Sequence, residues 1–176
     1  MSQAYNHVKW CLAKAEKEIK ESKKLGKSPK HRGLLKMKPN TEEAGGHITK
    51  AEHNLKGVVR FKEIGFSDWS IAAGFYSIYH CFLAIAFRFG YESRNQTCTV
   101  ALIEWLREEG KINLDSRLID MLKQADLREI HESNIIDIRE EYTYGTKILI
   151  EDETAIDKLI ADCREIIDIT KYIIYN

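Results

Sequence analysis

At 176 residues, with 44% hydrophobic and 31% charged residues, the chain has the length for one domain with a buried core and the composition of an ordinary soluble protein rather than a disordered one. Its 27 basic residues balance 27 acidic ones, yet residues 1–62 hold 15 Lys/Arg against 6 Asp/Glu and residues 126–168 hold 5 against 13. A bipolar chain of this kind can pair its own ends, dimerise head to tail, or aim its basic part at an acidic partner.

The two prolines, Pro29 and Pro39, both fall in the segment Leu25–Gly46, so the strongest helix breaker is absent elsewhere and an all-α fold is expected. Residues 3–24 read as a first helix with sparse apolar contacts at Trp10, Leu12 and Ile19. A long loop punctuated by Pro and Gly follows over Leu25–Gly46. A second helix is expected from His47 to Ile64, on Ala51, Leu55, Val58, Val59 and Phe61, and Gly65 closes it. Ser67 is then expected to cap a third helix running to Gly90.

That third segment, SDWSIAAGFYSIYHCFLAIAFRFG, is apolar almost all round and should be surrounded by its neighbours. Its apolar stretch Ile71–Phe87 contains Ser77, His80 and two tyrosines, so a buried helix is expected rather than a membrane span. Thr97–Glu109 makes a fourth helix ended by Gly110, Asp115–Ile130 a fifth, and Ser133–Tyr144 a sixth. Lys147–Ile150 is a short β-prone run, and Thr154–Tyr172 is the last helix. Short links between amphipathic helices favour an antiparallel, up-and-down bundle.

Cys11, Cys81, Cys98 and Cys163 are scattered without a CxxC pair, which is the pattern of free thiols in a reducing cytoplasm. The N-terminus lacks the apolar core of a signal peptide, so a cytoplasmic location is expected. No histidine or cysteine spacing completes a zinc site, and no phosphate-binding glycine loop occurs. No metal or cofactor is therefore expected.

Tyr76 and His80 stand one helical turn apart. With Tyr79 they set two phenols and an imidazole in a greasy helix, where each needs a hydrogen-bond partner. They read either as a polar cluster of the core or as the lining of a cleft or dimer seam. FYSIYHCFLAIAFRFGYES, with the later helix VALIEWLREEGKI, resembles the HEPN domain, in particular small prokaryotic members carrying a YYxxFH-like helix. Tyr76, Tyr79 and His80 fall on the second tyrosine, the aromatic and the histidine of that pattern, and Phe75 replaces the first tyrosine. Arg139-Glu140-Glu141-Tyr142-Thr143-Tyr144 is similar to the family's arginine followed by an Asp-Tyr pair. The resemblance spans about Gly45–Tyr172. It implies a four- or five-helix bundle, commonly a homodimer. Family members cleave RNA as toxins, often beside a nucleotidyltransferase antitoxin, or bind RNA, nucleotides or proteins.

Active members carry a histidine four to six residues beyond the arginine. Here Tyr144, Gly145 and Thr146 occupy that window, and His131 follows Arg128 too closely. Tyrosine, with a reference pKa of about 10, is a poor proton carrier near neutrality, so the residues favour binding over cleavage. Arg139 can clamp a phosphate or pair with Asp137, Glu140 or Glu141. The other candidate is the basic tract, where Lys23, Lys24, Lys27, Lys30, Arg32, Lys36 and Lys38 would attract a phosphate backbone without reading sequence. Without interleaved aromatics, that tract does not indicate base stacking.

The expected fold is an all-α antiparallel bundle over 47–176 with an N-terminal helix and basic loop, 1–46, as an appendage. The expected function is a non-catalytic HEPN-like binding module. It would engage RNA, a nucleotide or a nucleotidyltransferase-type partner within a toxin–antitoxin pair, with Arg139, Tyr142, Tyr76 and Tyr79 as ligand contacts. The alternatives are a metal-independent ribonuclease toxin using Arg139 with Tyr144 or His80, and a purely structural helical dimer.

Overall fold

A computed structural model of the chain describes residues 2–123, 135–146, 148 and 153–176. Among them are seven helices and one two-stranded sheet, so the fold is predominantly α-helical. Helix α1 (Gln3–Lys24) starts where the Ser2 hydroxyl accepts the Tyr5 N–H. It buries Ala4, Val8, Cys11 and Ala15 along one face. That spacing keeps those four positions on one stripe.

Within the segment expected to be loop, Leu34–Lys36 forms strand β1, which pairs antiparallel with β2 (Tyr91–Ser93) so that Leu34 faces Ser93 and Lys36 faces Tyr91. Helix α2 (Thr41–Glu63) begins six residues before the expected His47. The Asn40 side chain accepts the Glu43 N–H, and Glu42 and Glu43 stand in the positive first turn. At its other end Gly65 adopts φ 81°. The Phe66 N–H reaches the Phe61 carbonyl and the Gly65 N–H that of Lys62, a Schellman closure that a β-carbon would strain.

Helix α3 (Ser67–Arg88) follows after a three-residue link, with the cap position on Phe66 rather than on the expected Ser67. Ser70 Oγ donates to the Val58 carbonyl and Ser77 Oγ to that of Ala51, each at 2.9 Å. Rising numbers on α3 meet falling numbers on α2, so these two run antiparallel. Helix α4 (Gln96–Glu108) is capped by Asn95. Helix α5 (Ser116–Asp120) covers the start of the expected Asp115–Ile130 and gives way to a turn at 121–123, while 124–130 lies outside the described residues. The expected start of the sixth helix at Ser133 and most of the run Lys147–Ile150 also lie outside them.

Helices α6 (Ile135–Tyr144) and α7 (Glu153–Tyr175) complete the order. Cys163 Sγ donates to the Gly74 carbonyl and Arg88 Nε to that of Ile174, which makes α7 parallel to α3. Lys62 pairs with Asp157 and Lys171 with Glu52, so α2 runs antiparallel to α7. At the crossing with α7, a β-carbon on Gly74 would lie 2.5 Å from Leu159 Cδ2, and the glycine is what lets the helices approach.

One large core cluster includes Ile71, Ile78, Phe82 and Ile85 of α3, Leu102 and Ile103 of α4, and Ile156, Cys163 and Ile166 of α7. Val8 and Cys11 of α1 and Leu34 of β1 belong to the same cluster, so the first 46 residues contribute to the bundle's interior. Helix α3 has the length and apolar character of a membrane span, and 67% of its most apolar window is buried inside the molecule.

The cysteines differ from expectation. Cys11 and Cys98 form a disulfide joining α1 to the first turn of α4. They are 87 positions apart, so no short spacing signals the pair. Cys81 and Cys163 are free and buried, and burial pushes each thiol up to about 12. They pack as small hydrophobes and are chemically quiet at neutral pH.

Candidate functional site

The aromatic face of α3 positions the first group of expected residues. Phase along the helix puts Phe75 and Tyr79 one turn apart, with stacked rings 6.0 Å between centroids, while Tyr76 meets Phe75 edge-on at 5.1 Å. Arg139 of α6 lays its guanidinium carbon 4.3 Å from the Phe75 ring centroid. Its Nη2 lies 3.8 Å from Glu140. The cation therefore touches the apolar rod, as a cation–π contact with its side chain only 19% exposed. Tyr79 is mostly buried, its hydroxyl 3.4 Å from Thr99 Oγ1, and burial raises its pKa. Tyr76 is half exposed, Tyr142 half-buried, and Tyr144 81% exposed. Arg128 and His131 lie outside the described residues.

His80 turns away from this cluster, towards α2. Its Nδ1 stands 2.9 Å from Nδ1 of His47, and the rings stack at 5.1 Å. Phe87, two turns beyond His80 on α3, covers His47 from the other side of the pair's ring plane. Burial, then the neighbouring His47 and Lys50, holds His80 down at about 4, and burial lowers His47. Both rings are thus neutral near pH 7, one donating and the other accepting at Nδ1. The donor ring keeps an acceptor Nε2 and the acceptor ring an Nε2–H. The pair thus presents one further hydrogen-bond acceptor and one further donor, both on uncharged rings.

A third arrangement was not legible as a motif. Tyr5 and Lys9 of α1, Lys36 of β1, Tyr91 of β2 and Trp105 of α4 line one groove of about 340 Å³. The Trp105 ring lies 5.9 Å from Tyr5 and 6.4 Å from Tyr91, with Lys111 Nζ 4.6 Å above it. The Lys9 ammonium sits 4.7 Å from the Tyr5 ring. Trp105 Nε1–H is buried and meets no acceptor among the described residues. Tyr5 and Trp105 also wall an adjoining depression of about 550 Å³ with Ser2, Glu108 and Glu109. The aromatics missing from the basic tract in sequence are supplied here by other elements.

The basic tract runs into this groove at Lys36. Lys23 and Lys24 end α1, where cations suit the helix dipole. Lys27, Lys30, Arg32, Lys36 and Lys38 are exposed along the segment leading to and through β1. None of these side chains pairs with a described acid, although the Arg32 backbone N–H donates to Glu18. The chain's acidic half is partly spent elsewhere, as Arg117 binds Asp115, Asp162 and Glu165.

A three-ligand cluster also occurs. His7, Cys11 and Cys98 hold their donor atoms within 4.8 Å of one another, on a side of α1 turned away from the groove residues Tyr5, Lys9, Leu12 and Glu16. The chain matches no protein-family model and no curated protein.

Proposed function

We propose that this chain is a binding module for single-stranded RNA or its nucleotides, with bases stacking on Tyr5 and Trp105 in the groove that Tyr91 helps to wall, and phosphates held by Lys9, Lys36, Lys111 and the basic tract. The observation that carries it is the meeting of the Tyr5 and Trp105 rings with the Lys9 and Lys36 ammonium groups along one groove, with Tyr91 buried in its wall and Lys111 over the Trp105 ring. Aromatic rings accept any base, at about 1–3 kcal/mol per stacked base. Lysines neutralise phosphates and release counterions, which makes binding salt-dependent.

The resemblance to HEPN domains agrees with this reading and supplies its remaining parts. These are a HEPN-like bundle, a homodimer, a nucleotidyltransferase-type partner in a toxin–antitoxin pair, and a cytoplasmic location. Arg139 contributes there as a ligand contact beside Tyr76 and Tyr142.

The test is a titration of fluorescently labelled single-stranded RNA with the purified protein at several salt concentrations. The expected result is an affinity that falls linearly with salt on a double logarithmic plot, with Lys9→Ala and Lys36→Ala each lowering the slope by about one. Absence of binding at about 50 mM salt, in the low-salt range where such contacts are strongest, would end the reading.

A second reading, a ribonuclease with a variant site, is favoured by the His47–His80 contact, which sets two neutral imidazoles together as proton acceptors, although the lowered pKa of His80 makes it a weak base. Cleavage of the same RNA that disappears in His80→Ala, with binding retained, would select it.

A further inference from the structure

We propose that His7, Cys11 and Cys98 form a redox-gated zinc site: a disulfide when oxidised, and a Cys2His ligand set for a divalent zinc ion when reduced. The three donor atoms already lie within 4.8 Å of one another, with both cysteines buried and His7 half exposed at the mouth. His7 precedes Cys11 by one helical turn, so its imidazole and the sulfur share a face of α1. Cys98 closes the set from α4, and its Cα lies 5.8 Å from that of Cys11.

The local chemistry suits thiolate ligands. Cys98 is the third residue of α4, and its N–H is taken by the Asn95 cap. A thiol in the first turn of a helix has its anion favoured by the dipole, and the bound ion itself would supply the charge that offsets the burial of both sulfurs. Zinc takes Cys sulfur at about 2.3 Å and His nitrogen at about 2.0–2.1 Å in a tetrahedral arrangement. Two sulfurs on one such ion stand about 3.8 Å apart, from that bond length and the tetrahedral angle, so the two side chains swing apart once the bond between them is cut. The fourth position, at the exposed His7 side, is left to water. Trp10, packed 5.7 Å from the His7 ring, limits where that imidazole can swing.

The interconversion balances through a dithiol reductant. The reductant gives two electrons and two protons to the Cys11–Cys98 bond, yielding two thiols and its own disulfide. Zinc then displaces the two thiol protons as it binds the sulfurs, with His7 entering as the neutral imidazole. In a reducing compartment the zinc form holds α1 against α4. In the reverse direction a disulfide oxidant takes two electrons from the two thiolates and leaves as its own dithiol, zinc is released, and the Cys11–Cys98 bond takes over the same junction. Either state anchors the helix that carries Tyr5 and Lys9.

The experiment uses full-length protein reduced with a phosphine, equilibrated with zinc, and passed into metal-free buffer. Retained metal is measured per chain, and cobalt substitution is followed by its thiolate charge-transfer absorption. One zinc per chain is expected, with the cobalt–thiolate band present. Cys98→Ser should lose both, and His7→Ala should weaken zinc at least tenfold while remaining folded by circular dichroism. No zinc retained by the reduced wild type overturns the proposal. So does equal retention by the Cys11→Ser/Cys98→Ser double variant, which would place the metal elsewhere. Undiminished binding in His7→Ala removes the imidazole from the set and equally overturns it. These readouts do not involve RNA, so their failure leaves the groove reading untouched.

Discussion

Protonating the His47–His80 pair replaces a shared proton with two facing positive charges beside Lys50. The folded-state pKa of His80 lies at about 4, below its ordinary value of 6.5. The unfolded chain therefore takes up its proton first on acidification. The contribution to stability is complete above about pH 6.5 and is lost as the pH falls towards about 4. Denaturant unfolding of the wild type and of His80→Gln, followed across that window, should show a shallower pH dependence in the variant. Identical slopes would remove the pair from the stability account. His80 stood out in sequence as an imidazole inside an apolar helix, but its partner did not. His47 lies 33 positions away, and helical spacing can relate only residues within a turn or two. Arg139 was legible as a cation near the rod. Its contact with Phe75, rather than with one of the tyrosines, depends on the phase between two helices.

At the level of elements, close approach of α3 to its neighbours rests on small residues. Ser70 and Ser77 face α2 with their hydroxyls bonded to its carbonyls, and Gly74 faces Leu159 of α7. Gly74→Ala inserts a methyl where the leucine must move, and should destabilise by about 1–3 kcal/mol despite the better helix propensity of alanine. A variant as stable as the wild type in chemical denaturation would mean that α7 is free to shift. Helices with strong periodicity and clear stops were readable, as α1, α3 and α4 show. The early start of α2 was hidden because Gly45 and Gly46 read as breakers, each costing about 1 kcal/mol in a helix interior. The Asn40 cap and the two acids of the first turn outweigh them. The β1–β2 pair was hidden for a different reason. Three-residue strands are too short to display alternation, and their pairing partner lies beyond two helices.

For the molecule as a whole, the N-terminal segment is the least expected part. Sequence composition set 1–46 apart as a basic appendage, yet Val8, Cys11 and Leu34 are at most 3% exposed within the common core. Deleting residues 1–24 should therefore lower the melting temperature and expose apolar surface to a dye such as ANS. A truncated protein that melts like the full chain would restore the appendage reading. Charge asymmetry was visible in the sequence, but where the basic part points was not. The groove draws its rings and cations from α1, β1, β2 and α4, so no contiguous stretch could announce it. Only the fold brings Trp105 beside Tyr5 and Tyr91.

Photo-crosslinking of the full-length protein to a uridine-rich single-stranded RNA, with the attached peptides read by mass spectrometry, tests that groove most directly. Crosslinks should fall on Tyr5 or Trp105 and decline in the Lys9→Ala/Lys36→Ala variant. Crosslinks confined to α6 and the exposed side of α3, or none at all, would contradict the account.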